Sequence, residues 1–191
     1  MNTGEVIAVV AFAGLVLVEV WTIFAASLLA HELGHALAAR LLRVPVRRIV
    51  IGVGPRLLRF GRLEARLLPV LGFADVVGGM HALDQRRRAL IAIAGPAASA
   101  ALGLALLGLA AVTTGHAAAV ARAVGAMNVG IAVFNLLPVP LLDGWTVIER
   151  YIFAALRVQP SEAQRVRLYK AGALVLLALL LMTIIVDHMR Y

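Results

Sequence analysis

The sequence contains no cysteine, only ten acidic residues and 6% aromatic residues among its 191 positions. Without thiols there is no disulfide framework, and any bound metal must be held by imidazole or carboxylate. Charge is scarce: Asp, Glu, Lys and Arg make up 15% of the chain, against about 25% in an ordinary soluble domain. Apolar residues reach 62%, against about 45–50% in soluble domains, so this is a membrane protein. The length suits one domain over residues 1–191, with no room for a separate soluble module. Met1-Asn2-Thr3-Gly4-Glu5 lacks the basic start of a secretory signal, so the first apolar run is expected to be retained.

The formal net charge of +8 raises the question of a nucleic-acid partner, but its distribution answers it. Of 18 Lys and Arg, eleven lie from Arg40 to Arg88 and five from Arg150 to Lys170. Two basic segments between apolar spans are the positive-inside pattern and require no polyanion. With Arg outnumbering Lys 17 to 1, a weak mark of a GC-rich genome, the expected location is the cytoplasmic membrane of a prokaryote.

The apolar runs predict an all-α membrane bundle of about four spans, near residues 6–42, 89–112, 117–137 and 168–186. Both termini then lie outside and the Arg-rich segments inside. The first run exceeds the ~20 residues a crossing needs. Either Glu19 and Trp21 mark its outer interface, or it starts near Val6, tilts strongly and buries Glu19; the first costs less. Residues 44–77 change period: Val46-Arg47-Arg48-Ile49-Val50-Ile51 is β-rich, Gly52, Gly54 and Pro55 interrupt it, and Arg62 to Leu67 alternates. A small membrane-associated hairpin or sheet is expected. Its edge near Gly72 and Phe73 is a candidate to hold an extended substrate by strand addition; the plain alternative is a connecting sheet. Pro96 is expected in the first turns of the second span, where it does least harm. Gly95, Ser99 and Gly103 form a small-residue stripe for close helix approach, and residues 145–158 read as an amphipathic helix on the inner surface.

Within the first run lies His31-Glu32-Leu33-Gly34-His35. Residues four apart on an α-helix sit about 40° apart in rotation and roughly 6 Å along the axis, so both imidazoles aim at one point. That is the spacing one Zn²⁺ needs, with Glu32 close enough to take a proton from water. Surface or capping histidines are the bland alternative, and they are costly in an apolar segment. A catalytic zinc takes a third protein ligand. Asp143 is the best candidate: it lies at the inner end of the third span, at the depth of the histidines. Pro138 and Pro140 free the backbone before it, and Gly144 permits a sharp turn. Glu149 is its competitor. His81 is a lesser candidate as a ligand or gate, and Glu19 a lesser functional candidate.

These residues resemble the site-2 protease family, zinc metalloproteases that cut within the membrane. Three motifs carry the resemblance: His31-Glu32-Leu33-Gly34-His35; Asn135-x-x-Pro138-x-x-x-x-Asp143-Gly144; and the β region of Ile51-Gly52-Val53-Gly54-Pro55 with Leu68-Pro69-Val70-Leu71-Gly72-Phe73. The resemblance implies His31, His35 and Asp143 as ligands of one Zn²⁺ and Glu32 as the catalytic base. Asn135 is then a donor to the oxyanion and to substrate. The family commonly has Gly-Pro-x-x-Asn at the start of the middle span, where this chain has Gly95-Pro96-Ala97-Ala98-Ser99. Ser99 is thus a shorter substitute at a substrate-binding position, or merely part of the small-residue stripe. Neither a PDZ nor a CBS domain fits in the chain, so such regulation is absent or comes from a separate membrane protein.

The expected activity is hydrolysis of a peptide bond in or near a transmembrane segment of a membrane protein. The rival from another class is a non-catalytic protein of the same fold, binding helices as a chaperone or metal as a subunit. Intact Glu32 speaks against it, because holding metal alone does not need that carboxylate. A proton or metal pore needs more ionisable residues in the membrane than this chain supplies.

Overall fold

The computed structural model describes residues 2–189. Among them are four helices long and apolar enough to cross a membrane, and one small antiparallel sheet. Helix α1 spans Thr3–Leu41 and is fixed at its start by a capping box, in which Asn2 and Glu5 satisfy each other's backbone N–H groups. Its 39 unbroken residues give a length of about 58 Å, nearly twice the ~30 Å hydrocarbon core. The first half is almost wholly exposed. The buried residues, Ala25, Ser27, His31, Glu32, His35 and Ala39, all lie in the second half. Four of them recur every fourth residue, so the rest of the protein packs on one seam.

Strands β1 (Val46–Phe60) and β2 (Leu63–Val76) pair antiparallel, but not as a flat ladder. Gly52 and Gly54 adopt left-handed φ angles of 92° and 87°, which side chains disfavour, and they bend β1. Ile49 consequently pairs with both Ala74 and Leu63, and Ile51 with both Gly72 and Ala65. Val50, which likewise pairs with both Phe73 and Glu64, is fully buried. The sheet's outer edge carries exposed Leu58 and Phe60, and its other edge, around Gly72, lies against α1. Trp21 donates from Nε1 to the Leu67 carbonyl of β2 at 2.6 Å and so ties α1 to the sheet.

Helix α2 spans Gln85–Val112, starting before the apolar run because Asp84 caps it by accepting from the Arg87 N–H at 3.0 Å. That hydrogen bond holds the exposed Asp84 carboxyl below its ordinary pKa. The early start corrects the expectation for Pro96. It stands in the helix interior, where its ring removes the N–H that would bond the Ala92 carbonyl.

Helix α3 spans Gly115–Asn135 and packs closely on α2. A Cβ at Gly103 would lie 2.8 Å from the Gly125 carbonyl oxygen, and one at Gly125 would lie 2.9 Å from that of Gly103. Gly103→Leu is therefore expected to destabilise the protein by about 1–3 kcal/mol, read as a lowered unfolding midpoint in detergent. Fully buried Asn128 ties α3 to α1 by donating to Ser27 Oγ at 3.0 Å. Helix α4 (Asp143–Ala155) is amphipathic, and α5 (Glu162–His188) is capped by Ser161 and begins ahead of the fourth apolar run. Residue α5 Gly172 rides on Pro140, 2.8 Å from where its Cβ would fall to the proline Cβ.

Candidate metal centre

The buried seam of α1 presents His31 and His35 with their Nε2 atoms 3.2 Å apart. The start of α4 brings Asp143 to them, Oδ2 3.0 Å from His31 Nε2 and Oδ1 3.4 Å from His35 Nε2. The three residues offer ligand atoms that all lie within 4.8 Å of one another. Neighbouring ligands of a tetrahedral zinc with bonds of 2.0–2.1 Å stand about 3.3 Å apart, so these separations suit that ion.

Three further observations fit a cation here. His35 Nδ1 is 2.7 Å from the Ile91 carbonyl, to which it must donate, so a neutral ring turns a bare Nε2 lone pair toward the carboxylate. Two acceptors face each other, which is unfavourable unless something positive sits between them. Second, His31 Nδ1 pairs with Ser99 Oγ at 2.9 Å, so both rings are oriented through Nδ1 with Nε2 turned toward Asp143. Third, Gly95 of α2 leaves the space open. A Cβ there would run into His35 Nε2 and come within 2.8 Å of His31 Nε2.

Glu32 is buried beside this group, and its Oε2 has no hydrogen-bond partner. Strand β2 covers it at Gly72, where a Cβ would stand 2.7 Å from Glu32 Oε1. A cavity of about 670 Å³ opens on the three candidate ligands and Glu32, and Gly72, Phe73 and Asn135 also line it. The Asn135 side chain donates to the Ile131 carbonyl of its own helix at 3.0 Å and is half-buried.

Ser99 is fully buried and does not line the cavity. Its hydroxyl lies behind His31, which gives it an orienting contact rather than a face toward substrate. Glu149, the competitor to Asp143, is held by Arg88 and Arg165 and stands outside the ligand group. Glu19 is exposed on α1, and the His81 side chain lies outside the described residues.

Gly144 also has a different role from the one expected. Its φ is not left-handed, but a Cβ there would strike the Leu136 carbonyl and lie 2.6 Å from that of Leu137. The turn into α4 is made instead by Leu141, at φ 91°. A left-handed leucine costs of order 1–3 kcal/mol and persists only where surrounding packing enforces it. Nothing in the residue type announces it.

The model of peptidase family M50 matches residues 20–123 and 110–180, which together run over most of the chain. A protein of Clostridium perfringens named as a zinc metalloprotease is 38% identical over 68 residues, covering 34% of this chain and 20% of that protein. The chain thus matches only about a fifth of the length of that relative. The solved structure of the site-2 protease from Methanocaldococcus jannaschii superposes with a TM-score of 0.60 at 22% identity. That match covers 94% of this chain and 79% of the other, and it supports the fold.

Proposed function

The chain belongs to peptidase family M50, and from that premise we propose that it is a zinc-dependent intramembrane endopeptidase. It hydrolyses a peptide bond in or near a transmembrane segment of another membrane protein. The observation that carries this reading is Glu32, a buried carboxylate with an unpartnered oxygen beside a His-His-Asp group, at the floor of a cavity between apolar helices.

His31, His35 and Asp143 would hold one zinc ion, which when bound would supply a Lewis acid able to acidify water and polarise a carbonyl. Glu32 takes the proton from the attacking water and delivers it to the leaving amine. Ser99 and the Ile91 carbonyl keep the two imidazoles turned toward the centre. Asn135 turns its amide from Ile131 to the developing oxyanion. A helical substrate hides its amides, so it unwinds and lies extended along the β2 edge at Gly72 and Phe73. Substrates with helix-weakening residues near the cut are favoured.

In this reading the protein is a multi-pass protein of the prokaryotic cytoplasmic membrane. Both termini face outward and the Arg-rich segments and the centre lie toward the cytoplasm.

Metal removal tests the reading. Purified protein in vesicles, given a labelled transmembrane peptide, is expected to lose at least tenfold of its cutting rate on treatment with a zinc chelator. Adding back zinc restores it. Undiminished cutting by a preparation shown by elemental analysis to be metal-free overturns the proposal.

A further inference from the structure

The largest buried charges in the described protein are not at the centre. Arg88 of α2 and Glu149 of α4 are 1% and 0% exposed and bonded to each other, and Arg165 of α5 bonds the second Glu149 oxygen. Such a cluster is costly to desolvate, and hydrophobic residues often fill the same space at equal or better stability. Its arrangement therefore asks for a use.

The use lies in what each arm joins. Helix α2 carries, in order, Arg88, the Ile91 carbonyl that orients His35, and Ser99 that orients His31. Helix α4 carries Asp143 at its first residue. Two further bonds fasten the same ends: Gln85 Nε2 donates to the Val147 carbonyl at 2.6 Å, and Arg150 donates to the Leu83 carbonyl at 2.7 Å. Helix α2 is thus the frame to which the histidines are held, and its start is where the helix bearing the carboxylate is fixed. Arg165, by contrast, joins α4 only to α5, which bears no ligand.

We propose that Glu149, gripped by Arg88, is a positioning residue for the metal centre: the buried pair holds α4 against α2 so that Asp143 reaches the imidazoles. This rests on the zinc reading above. The two arms of the cluster are then unequal. The Arg88 arm governs metal affinity, and the Arg165 arm does not.

The test is zinc affinity and the visible spectrum of the cobalt-loaded full chain, for the wild type, Asp143→Ala, Glu149→Gln, Arg165→Gln and the double variant Arg88→Met/Glu149→Gln. The double variant removes both fully buried charges and leaves only the partly exposed Arg165 without its carboxylate, so it stays measurable if Glu149→Gln does not fold. Glu149→Gln and the double variant are expected to lose zinc affinity about 10–100-fold, with weakened cobalt bands, while Arg165→Gln stays within about threefold of wild type. A purely structural cluster would lower the unfolding midpoint and leave affinity and spectrum alone; that result overturns the inference. Equal losses from Arg165→Gln and Glu149→Gln overturn it as well. If the wild type binds no zinc, or Asp143→Ala binds it as well as wild type, the zinc reading itself has failed, and this inference with it.

Discussion

Glu32→Gln is expected to lower the rate of peptide cutting by about 10²–10⁴-fold while the purified protein keeps its zinc. Gln matches Glu in size, so the fit beneath Gly72 is preserved and the imidazoles and Asp143 are untouched. What is lost is the ability to accept a proton from water and return it to the leaving amine. The measurement pairs cleavage of a labelled transmembrane peptide in vesicles with elemental analysis of the same preparation. Equal rates for the variant and wild type would falsify the protease reading and leave a helix-binding or metal-binding membrane protein of the same fold.

The second large effect comes from a single methyl group. Gly95→Ala places it against His35 Nε2 and near His31 Nε2. Neither ring can withdraw freely, because His35 is tied to Ile91 and His31 to Ser99. Zinc affinity is expected to fall by about 10–100-fold, the range found when groups supporting metal ligands are disturbed. The control is Gly108→Ala on the same helix, where nothing lies within 4 Å of the added carbon. There the change should stabilise α2 by about 0.5–1 kcal/mol and leave zinc affinity unchanged. Titration of both variants with zinc decides the matter; equal affinity in the two would mean that the metal does not sit between those nitrogens.

Much of this was legible in the sequence because it is local. The His31–His35 spacing needs only the geometry of one helix, and the four apolar runs need only composition and length. Asp143 could be reached by counting which face of the membrane each span returns to. The rest depends on how elements rotate against one another. That Ser99 stands behind His31 follows from the α1–α2 packing angle, which no residue spacing encodes. Arg88 reads in sequence as the last of three arginines anchoring a span, yet it is fully buried on Glu149. The doubled pairing of Ile49 and Ile51 arises from a bend, and two glycines and a proline mark that bend without giving its direction. Leu141 was invisible for the opposite reason, since its residue type argues against the backbone it adopts.

Pro96 lies on α2 between the two points that steady the imidazoles, with Ile91 on one side and Ser99 on the other. A helix missing a rung flexes most easily at that rung. The two metal-facing rings are therefore not mechanical equals. His35 leans on the stretch of α2 that is capped and riveted to α4, whereas His31 leans on the stretch beyond the weak joint, which runs on into lipid. Any tilt of that outer stretch moves one ring's support and leaves its neighbour's where it was.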